Sequence, residues 1–404
     1  MRKITLFATG LILLAMASCS KSDHAAQPGQ QDHNDSSLQE TQTVVADRKI
    51  ASVTPDAIQF DTSRSDLKVG DILVSGVAAN APYGFLRKVA SVTTGNGQTT
   101  VETTTATLAD ALANSMKDGE TIGKNFTFNF DTFRSADKRQ ASSPDVNTVS
   151  RGSVTIHETY THPSSGKSLT IDGTLNLSPE SGGKIYFSKQ KNSNGSSEPG
   201  LDSLSYYMKM ASGLRVQAIS EIDSPFQKEW VIDSFSASPP VTVWLGTVPV
   251  VLQPSITVSL GVDSRLSARS HYEYQDSSTS SEEIEYNPTD QWILPKTNYF
   301  HVVHDTGYVS FNVTGTCKIY LKIVSSITMY DAKTPTANIS DSPYGDLTAT
   351  LGTDRIDWII KGGVATGASF STLSFFDKPL IDKSWDQILS IPEWEIVHSS
   401  YRLH

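Results

Sequence analysis

The sequence predicts a mainly β fold, an antiparallel β-sandwich or elongated sheet with a small N-terminal β module and few short helices. Three observations lead to this prediction. Apolar and polar residues alternate in twos through most of the chain, an Asn-Gly pair separates two β-rich runs, and helical spacing occurs in only two segments. We therefore expect antiparallel sheets to dominate the body of the protein.

The clearest alternation runs from Phe311 to Ile323 and predicts a long half-buried strand. Cys317 lies on the apolar face of this strand, which favours a buried thiol over a nucleophile. Four further strands are predicted from alternation at Phe126, Phe128 and Phe130, at Val154, Ile156 and Tyr160, at Leu169, Ile171, Leu175 and Leu177, and at Ile256, Val258, Leu260 and Val262.

Helical spacing appears in the segment from Leu108 to Met116 and again from Leu380 to Leu389. The second segment also contains Trp385, on the apolar face of the predicted helix. We expect this short terminal helix to cover one end of the sheets.

A compact unit is predicted between Asp66 and Met116. It contains a strand with the sequence GDILVSG, a strand FLRKVASVTT, the turn Gly95-Asn96-Gly97, a strand QTTVETTT and a helix that begins TLADAL. This order, with the later stretch PVTVWLGTVPVVLQPSITVSLGV, resembles an uncharacterised family of secreted β-rich bacterial proteins, over roughly a fifth of the chain. The resemblance implies an exported β protein and brings no catalytic residues.

The N-terminus carries the parts of an export signal. Arg2 and Lys3 precede an apolar stretch from Ile4 to Ala15, and small residues precede Cys19. The segment resembles the lipobox of bacterial lipoproteins, in which the cysteine becomes the acylated first residue. The resemblance implies lipid attachment at Cys19, and Ser20 and Lys21 after it favour the outer membrane over the inner one, with the body facing the periplasm or the cell surface.

These features divide the chain into four parts. Residues 1–18 are the predicted signal peptide, and residues 19–50 are the lipidated cysteine with a polar, flexible tether. Residues 51–120 form the small β module, and residues 121–404 form the large antiparallel domain. Three loops are expected, at Thr132 to Ser150, at Ser188 to Asp202 and at Gln275 to Asp290, the last a solvated hairpin tip carrying Glu282, Glu283 and Glu285.

The composition and net charge of the chain limit the classes of molecule that it could bind. The chain has 33 Lys and Arg residues against 43 Asp and Glu residues, a net charge of −10, and removal of Arg2 and Lys3 with the signal makes it more negative. An acidic protein is a poor ligand for nucleic acid. One of the two cysteines is assigned to lipid, so no intrachain disulfide is expected.

The stretch from Val241 to Val262 is the most apolar after the signal. Gly246, Pro249 and Pro254 interrupt it and its last third alternates, which favours two buried strands joined at a proline corner over a transmembrane helix. A third possibility is that these strands line a pocket for an acyl chain.

Motifs for common enzyme chemistry are missing from the sequence: there is no nucleophile elbow, zinc-binding HExxH, phosphate loop or dinucleotide fingerprint. No cofactor, metal or catalytic residue is predicted. Two histidine pairs, His157 with His162 and His301 with His304, are each separated by an odd number of positions. Residues so spaced on a strand point to opposite faces, which disfavours joint binding of one metal ion. The candidate ligand-binding side chains are aromatic residues beside polar loops or in the apolar stretch, with cross-strand packing as the alternative role: Tyr206, Tyr207, Tyr272, Tyr274 and Trp244.

Three functions remain open. The leading hypothesis is a non-enzymatic binding or adhesion lipoprotein whose ligand is a glycan or a lipid. This hypothesis predicts a shallow binding face. An envelope-lipid or apolar-ligand binder predicts an apolar cavity beside the strands of residues 241–262. A glycan-directed hydrolase predicts two carboxylates with shifted pKa values in a cleft.

Overall fold

Three β-sheets make up the part of the chain that the computed structural model describes, which confirms the predicted mainly β class. The described residues are 42–46, 49–129, 133–135, 149–150, 152–191, 195–222, 224–237, 239–265, 270–286, 293–301, 306–310, 314–330, 336–371, 382–385 and 393–402. Residues 41–404 form one compact unit.

The elements in chain order are β1 (Thr43–Val45), β2 (Ile50–Val53), β3 (Ala57–Phe60), β4 (Ile72–Ser75), β5 (Phe85–Gly95), β6 (Gln98–Thr105), α1 (Leu108–Ala113), β7 (Thr121–Asn129), β8 (Phe133–Ser135), β9 (Val149–Ser150), β10 (Ser153–Thr161), β11 (Ser168–Lys191), β12 (Ser197–Ser220), β13 (Phe226–Ala237), β14 (Val241–Leu245), β15 (Val248–Ser264), β16 (Ser270–Tyr286), β17 (Ile293–His301), β18 (Thr306–Ser310), β19 (Gly315–Met329), β20 (Ala337–Leu351), β21 (Arg355–Ser371), β22 (Asp382–Trp385) and β23 (Trp394–Arg402).

The first six strands form the module sheet, in the order β1-β4-β5-β6-β3-β2. β1 pairs with β4 in parallel and the other neighbours are antiparallel. The predicted turn between β5 and β6 is present, and Asn96 and Gly97 both have positive φ, as the tight hairpin turn requires. Helix α1 follows, capped by the Thr107 side chain, which accepts a hydrogen bond from the Asp110 backbone N–H.

Two larger antiparallel sheets follow. Sheet I has the order β17-β16-β12-β11-β10-β9, with β18 on β16 and β7 on β11. Sheet II has the order β22-β21-β20-β19-β15-β13-β8, with β14 on β15 and β23 on β21. Buried side chains of the two sheets belong to one hydrophobic core, so sheets I and II pack as a sandwich.

Strand β4 belongs to two cores. Its four residues are all buried, with Leu73 in a small core enclosed by the module sheet and Ile72 and Val74 in the large core with α1 and the sandwich. A strand buried on both faces explains the unbroken apolar run ILV in the predicted GDILVSG motif.

Several sequence predictions are confirmed by these elements. The alternating segments at residues 126–128, 154–160, 169–177 and 256–262 are strands with the predicted faces buried, and Cys317 is a buried residue of β19. Residues 311–313 and Phe130 lie outside the described part. Among the described residues, no helix is long and apolar enough to cross a membrane.

Other predictions are wrong. Residues 275–286 belong to strand β16, and most of the predicted loop from Ser188 to Asp202 belongs to β11 and β12, because long strands carry polar residues on their outer faces. The chain turns between β14 and β15 at Gly246, which has positive φ, whereas Pro249 and Pro254 lie within β15. Residues 382–385 form strand β22 instead of part of a helix, and the rest of that predicted helix, residues 380–381 and 386–389, lies outside the described residues.

Two boundaries also differ from the expected ones. Strand β1 lies within the stretch predicted as tether, where Val44 packs against the small core. Strand β8 lies within the predicted loop from Thr132 to Ser150, most of which is outside the described part.

Candidate functional site

A small apolar cavity of about 30 Å³ lies between sheets I and II. Binding pockets for small molecules have mostly apolar walls too, but typically volumes of about 300–1,000 Å³, so this cavity is much smaller than a usual ligand site. The wall is formed by Phe126, Ile185, Leu204, Ser205, Tyr206, Val243, Val250, Leu252, Ile327, Met329, Thr336 and Ala337.

Strand alternation positions these side chains. Val250 and Leu252 are two residues apart on β15, and Val243 on β14 lies directly opposite Val250. One face of this hairpin therefore points into the sandwich. A small apolar cavity therefore lies beside the strands of residues 241–262.

The order of the strands places the residues of the wall. Sheet I contributes β7, β11 and β12, sheet II contributes β14, β15, β19 and β20, and β7 lies against β14 while β12 lies against β20. Phe126 is half-buried whereas the other side chains of the wall are buried, so the cavity is least covered at Phe126.

Three residues of the wall carry hydroxyl groups, Ser205, Tyr206 and Thr336, although almost none of the surface that lines the cavity is polar. The Tyr206 hydroxyl is engaged, because it shares a hydrogen bond of 2.6 Å with Ser325 Oγ. Thr336 Oγ1 is buried and makes no hydrogen bond to any described residue. An unpaired buried hydroxyl costs about 1–3 kcal/mol, so its presence in the wall calls for a reason.

A pair of buried carboxylates lies in the same sandwich, next to the layer of Tyr206 and Ser325. Glu282 of β16 is 0% exposed and Asp341 of β20 is 3% exposed. Ser280 Oγ donates a hydrogen bond of 2.5 Å to Asp341 Oδ2, which joins sheet I to sheet II. Both oxygens of Glu282 and Asp341 Oδ1 have no hydrogen-bond partner among the described residues.

Burial raises the pKa of both carboxyl groups well above the ordinary range, and the nearby Asp341 charge raises the pKa of Glu282 further. The Ser280 hydrogen bond opposes the shift at Asp341 but does not reverse it. Two neighbouring carboxylates are costly to ionise together in a dry interior, so the pair keeps about one proton at neutral pH, with Glu282 having the more strongly raised pKa. The expectation that Glu282 is a solvated residue of a hairpin tip is therefore wrong.

The predicted ligand-binding aromatic residues lie in different environments. Tyr206 is only 2% exposed and lies in the cavity wall, so it is not the exposed aromatic that we expected. Tyr207 points to the other face, over Gly182, where its hydroxyl bonds Glu180 Oε1 and Thr127 Oγ1 at 3.2 Å each. Tyr272 and Tyr274 lie on β16, paired with β12 and β18. Trp244 of β14 is 54% exposed, and its role in binding stays a prediction.

Aromatic rings on the outer faces of the sheets commonly cover a glycine of the neighbouring strand. Such a ring packs on bare backbone and fills the place of the missing side chain, which stabilises the sheet. This arrangement recurs at Tyr186 over Gly123, Tyr320 over Gly261, Tyr344 over Gly363 and Trp394 over Gly362. Packing on a glycine of the neighbouring strand thus accounts for these four rings, none of which was a predicted ligand-binding residue.

The remaining candidate groups are engaged in local contacts. His157 Nδ1 lies 2.5 Å from Asp172 Oδ1, and His162 Nδ1 lies 3.0 Å from Ser164 Oγ. Burial raises the pKa of the Cys317 thiol to about 12, which keeps it protonated and unreactive. In the described ranges, no cluster of three or more His, Cys, Asp or Glu residues could hold a metal ion. His304 lies outside those ranges.

Sequence reasoning missed Glu282, Asp341 and Thr336, although two of them leave a signal. Glu282 lies between Ser280 and Ile284 at a spacing of two, so its side chain shares a face with buried Ile284. The same rule places Asp341 on the face of buried Ile339. Thr336 lies just before β20 and leaves no comparable pattern.

Comparisons of the chain with protein-family models, with curated proteins and with solved structures gave no match. Its function must therefore be inferred from its own residues.

Proposed function

We propose that the protein binds an apolar ligand, such as a single acyl chain, in the cavity between sheets I and II. The wall of the cavity carries this proposal, because it is almost wholly apolar and is formed by side chains of both sheets. The cavity of about 30 Å³ is smaller than an acyl chain, so the proposal requires side chains of the wall to move apart as the ligand enters.

The proposal includes a place in the cell. The positive, apolar and small-residue segments before Cys19 support export and lipid attachment at that cysteine, with the body held at the outer membrane. An anchored binder would remain close to the envelope lipids that could supply its ligand. The anchor is tested separately, by metabolic labelling with palmitate of the natural chain and of Cys19→Ala, which should lose the label.

The buried carboxylates do not favour a hydrolase. Glu282 and Asp341 are enclosed in the sandwich, where a glycan polymer cannot reach them. A glycosidase places its two carboxyl groups on either side of a bound sugar, in an open cleft. An adhesion role through Trp244 depends on a single exposed side chain and has less support than the cavity.

The direct experiment uses the compact unit, residues 41–404, which contains every described strand. It is exported in a Gram-negative host and purified without detergent, and native mass spectrometry then looks for bound species. We expect a co-purifying apolar molecule of one chain length class, released on denaturation. Protein that is free of ligand and takes up no added acyl compound would contradict the proposal.

A matched pair of variants locates the ligand. Val243→Phe places a larger side chain in the cavity wall and should reduce binding at least tenfold. Val231→Phe makes the same change at a position that is 63% exposed on β13, and should bind as the natural protein does. Both variants should give the same circular-dichroism spectrum, and an equal loss of binding in both would place the ligand elsewhere.

A further inference from the structure

Three polar side chains meet on the outer face of sheet I, away from the cavity. His271 and Glu273 lie two residues apart on β16, and Gln217 on β12 is directly opposite Glu273. Gln217 alternates with buried Val216 and Ala218, so its side chain points away from the core of the sandwich. None of the three belongs to the cavity wall, and the group is therefore independent of the proposed ligand site.

The polar atoms of these side chains form a tight triangle. Gln217 Nε2 lies 2.8 Å from His271 Nε2 and 3.1 Å from Glu273 Oε1, and His271 Nε2 lies 3.4 Å from Glu273 Oε1. Ligand atoms that bind one zinc ion at about 2.1 Å, with octahedral or tetrahedral angles, are roughly 3.0–3.4 Å apart. The triangle thus has the size of one face of a metal coordination shell.

The Gln217 amide can act as a hydrogen-bond donor or as a metal ligand. Its Nε2 group donates to Glu273 Oε1 and to His271 Nε2, which assigns the imidazole proton to Nδ1 and directs the Nε2 lone pair into the triangle. Rotation of the amide by half a turn exchanges its nitrogen and oxygen atoms with little change of shape. The amide oxygen would then join the imidazole nitrogen and the carboxylate oxygen as a third ligand.

An ion can reach the triangle from solvent. The side chain of His271 is 29% exposed and that of Glu273 is 42% exposed. Three protein ligands leave at least one coordination position for water, as in open zinc sites.

We propose that His271, Glu273 and Gln217 bind one divalent transition-metal ion, such as Zn²⁺, on the outer face of sheet I. An imidazole nitrogen combined with carboxylate and amide oxygens suits zinc, copper or nickel better than calcium or magnesium, which prefer shells made only of oxygen. The set differs from the usual zinc ligands because its third member is an amide and not a histidine, cysteine or carboxylate. We therefore expect moderate affinity.

Isothermal titration calorimetry with zinc sulfate tests this proposal on residues 41–404, prepared without a histidine tag. We expect saturable binding of one zinc ion with an affinity that depends on His271. His271→Ala removes the imidazole and should weaken zinc binding by more than about tenfold, since even changes in the outer shell of a metal site cost about 10–100-fold.

A neighbouring histidine–carboxylate pair supplies the matched control. His157 Nδ1 lies 2.5 Å from Asp172 Oδ1, and Asp172 of β11 is directly opposite Gln217 on the other side from Glu273. His157→Ala removes an imidazole from the same face of the same sheet, and it should bind zinc as the natural protein does.

Exchange of the amide distinguishes a metal ligand from a residue that only packs in the sheet. Gln217→Leu removes the amide and should weaken zinc binding. Gln217→Glu replaces the amide by a carboxylate and should tighten zinc binding by roughly tenfold or more, because a charged oxygen ligand is added. A packing role for Gln217 would not give this gain.

All four variants should keep the circular-dichroism spectrum of the natural protein, because the exchanged side chains lie on the outer face of the sheet. Absence of saturable zinc binding by the natural protein would overturn the proposal. Equal affinities of His271→Ala and the natural protein would also overturn it. Equal weakening in His271→Ala and His157→Ala would place the ion at another site and overturn it as well.

Discussion

The hydroxyl groups of Tyr206 and Ser325 share a buried hydrogen bond of 2.6 Å that joins sheet I to sheet II. Burial raises the pKa of the Tyr206 hydroxyl to about 12, so it stays protonated at all physiological pH values. Tyr206 also forms part of the cavity wall, so one side chain links the packing of the two sheets with the proposed ligand site.

Removal of this hydrogen bond should destabilise the sandwich. Tyr206→Phe leaves Ser325 Oγ buried without its partner, and we expect the free energy of unfolding to fall by about 1–3 kcal/mol. Urea denaturation of residues 41–404 measures the change. The double variant Tyr206→Phe with Ser325→Ala removes both polar groups and should recover much of the loss, whereas equal losses in the single and double variants would contradict the account.

Stability should fall as pH rises, because of Glu282 and Asp341. Their pKa values are raised in the folded protein, so the folded state keeps protons that the unfolded chain loses from about pH 4 upward. The free energy of unfolding therefore decreases from about pH 4 until the raised pKa values are passed. Thermal unfolding measured from pH 4 to pH 9 checks the sign.

Glu282→Gln should flatten this dependence. Loss of the ionisable group should raise stability at pH 8 by about 1–3 kcal/mol, since one pKa unit corresponds to about 1.4 kcal/mol. Glu283→Gln is the control, because the adjacent side chain lies on the other face of β16 and is half-exposed. Identical pH profiles for Glu282→Gln and the natural protein would show that Glu282 keeps no extra proton in the fold.

Close packing of strands β11 and β12 should make Gly183 intolerant of a side chain. A Cβ at Gly183 would overlap the backbone carbonyl of Ser205, a residue of the cavity wall. We expect Gly183→Ala to lower the free energy of unfolding by about 2 kcal/mol or more. At Gly95 a Cβ would meet nothing within 4 Å, so Gly95→Ala should change stability by no more than about 0.5 kcal/mol in chemical denaturation. Equal effects would contradict the close approach at Gly183.

Local signals in the sequence were sufficient to predict much of the fold. The turn at Asn96 and Gly97 depends on positive φ, which these two residues adopt easily, and it was predicted correctly. The position of Cys317 on the buried face of β19 was predicted from the alternation of apolar and polar residues within that one strand. Such features involve few neighbours in space, so the pattern of nearby residues decides them.

Features that depend on long-range pairing were not predictable. An acidic, serine-rich run normally lies in water, and only the partners of β16 across the sandwich make Glu282 an interior residue. The cavity was foreseen beside residues 241–262, but its other walls come from β7, β11, β12, β19 and β20, whose order the sequence does not specify. The unpaired hydroxyl of Thr336 likewise becomes visible only when its surroundings are known.

The central claim is that the space between sheets I and II holds an apolar chain, and one titration tests it most directly. Residues 41–404 with methyl-labelled methionine are titrated with n-hexane, and the resonance of Met329 in the cavity wall is followed by NMR. We predict a saturable shift of the Met329 signal that Val243→Phe weakens at least tenfold and Val231→Phe leaves unchanged. A Met329 signal that stays constant up to the solubility limit of hexane would contradict the claim.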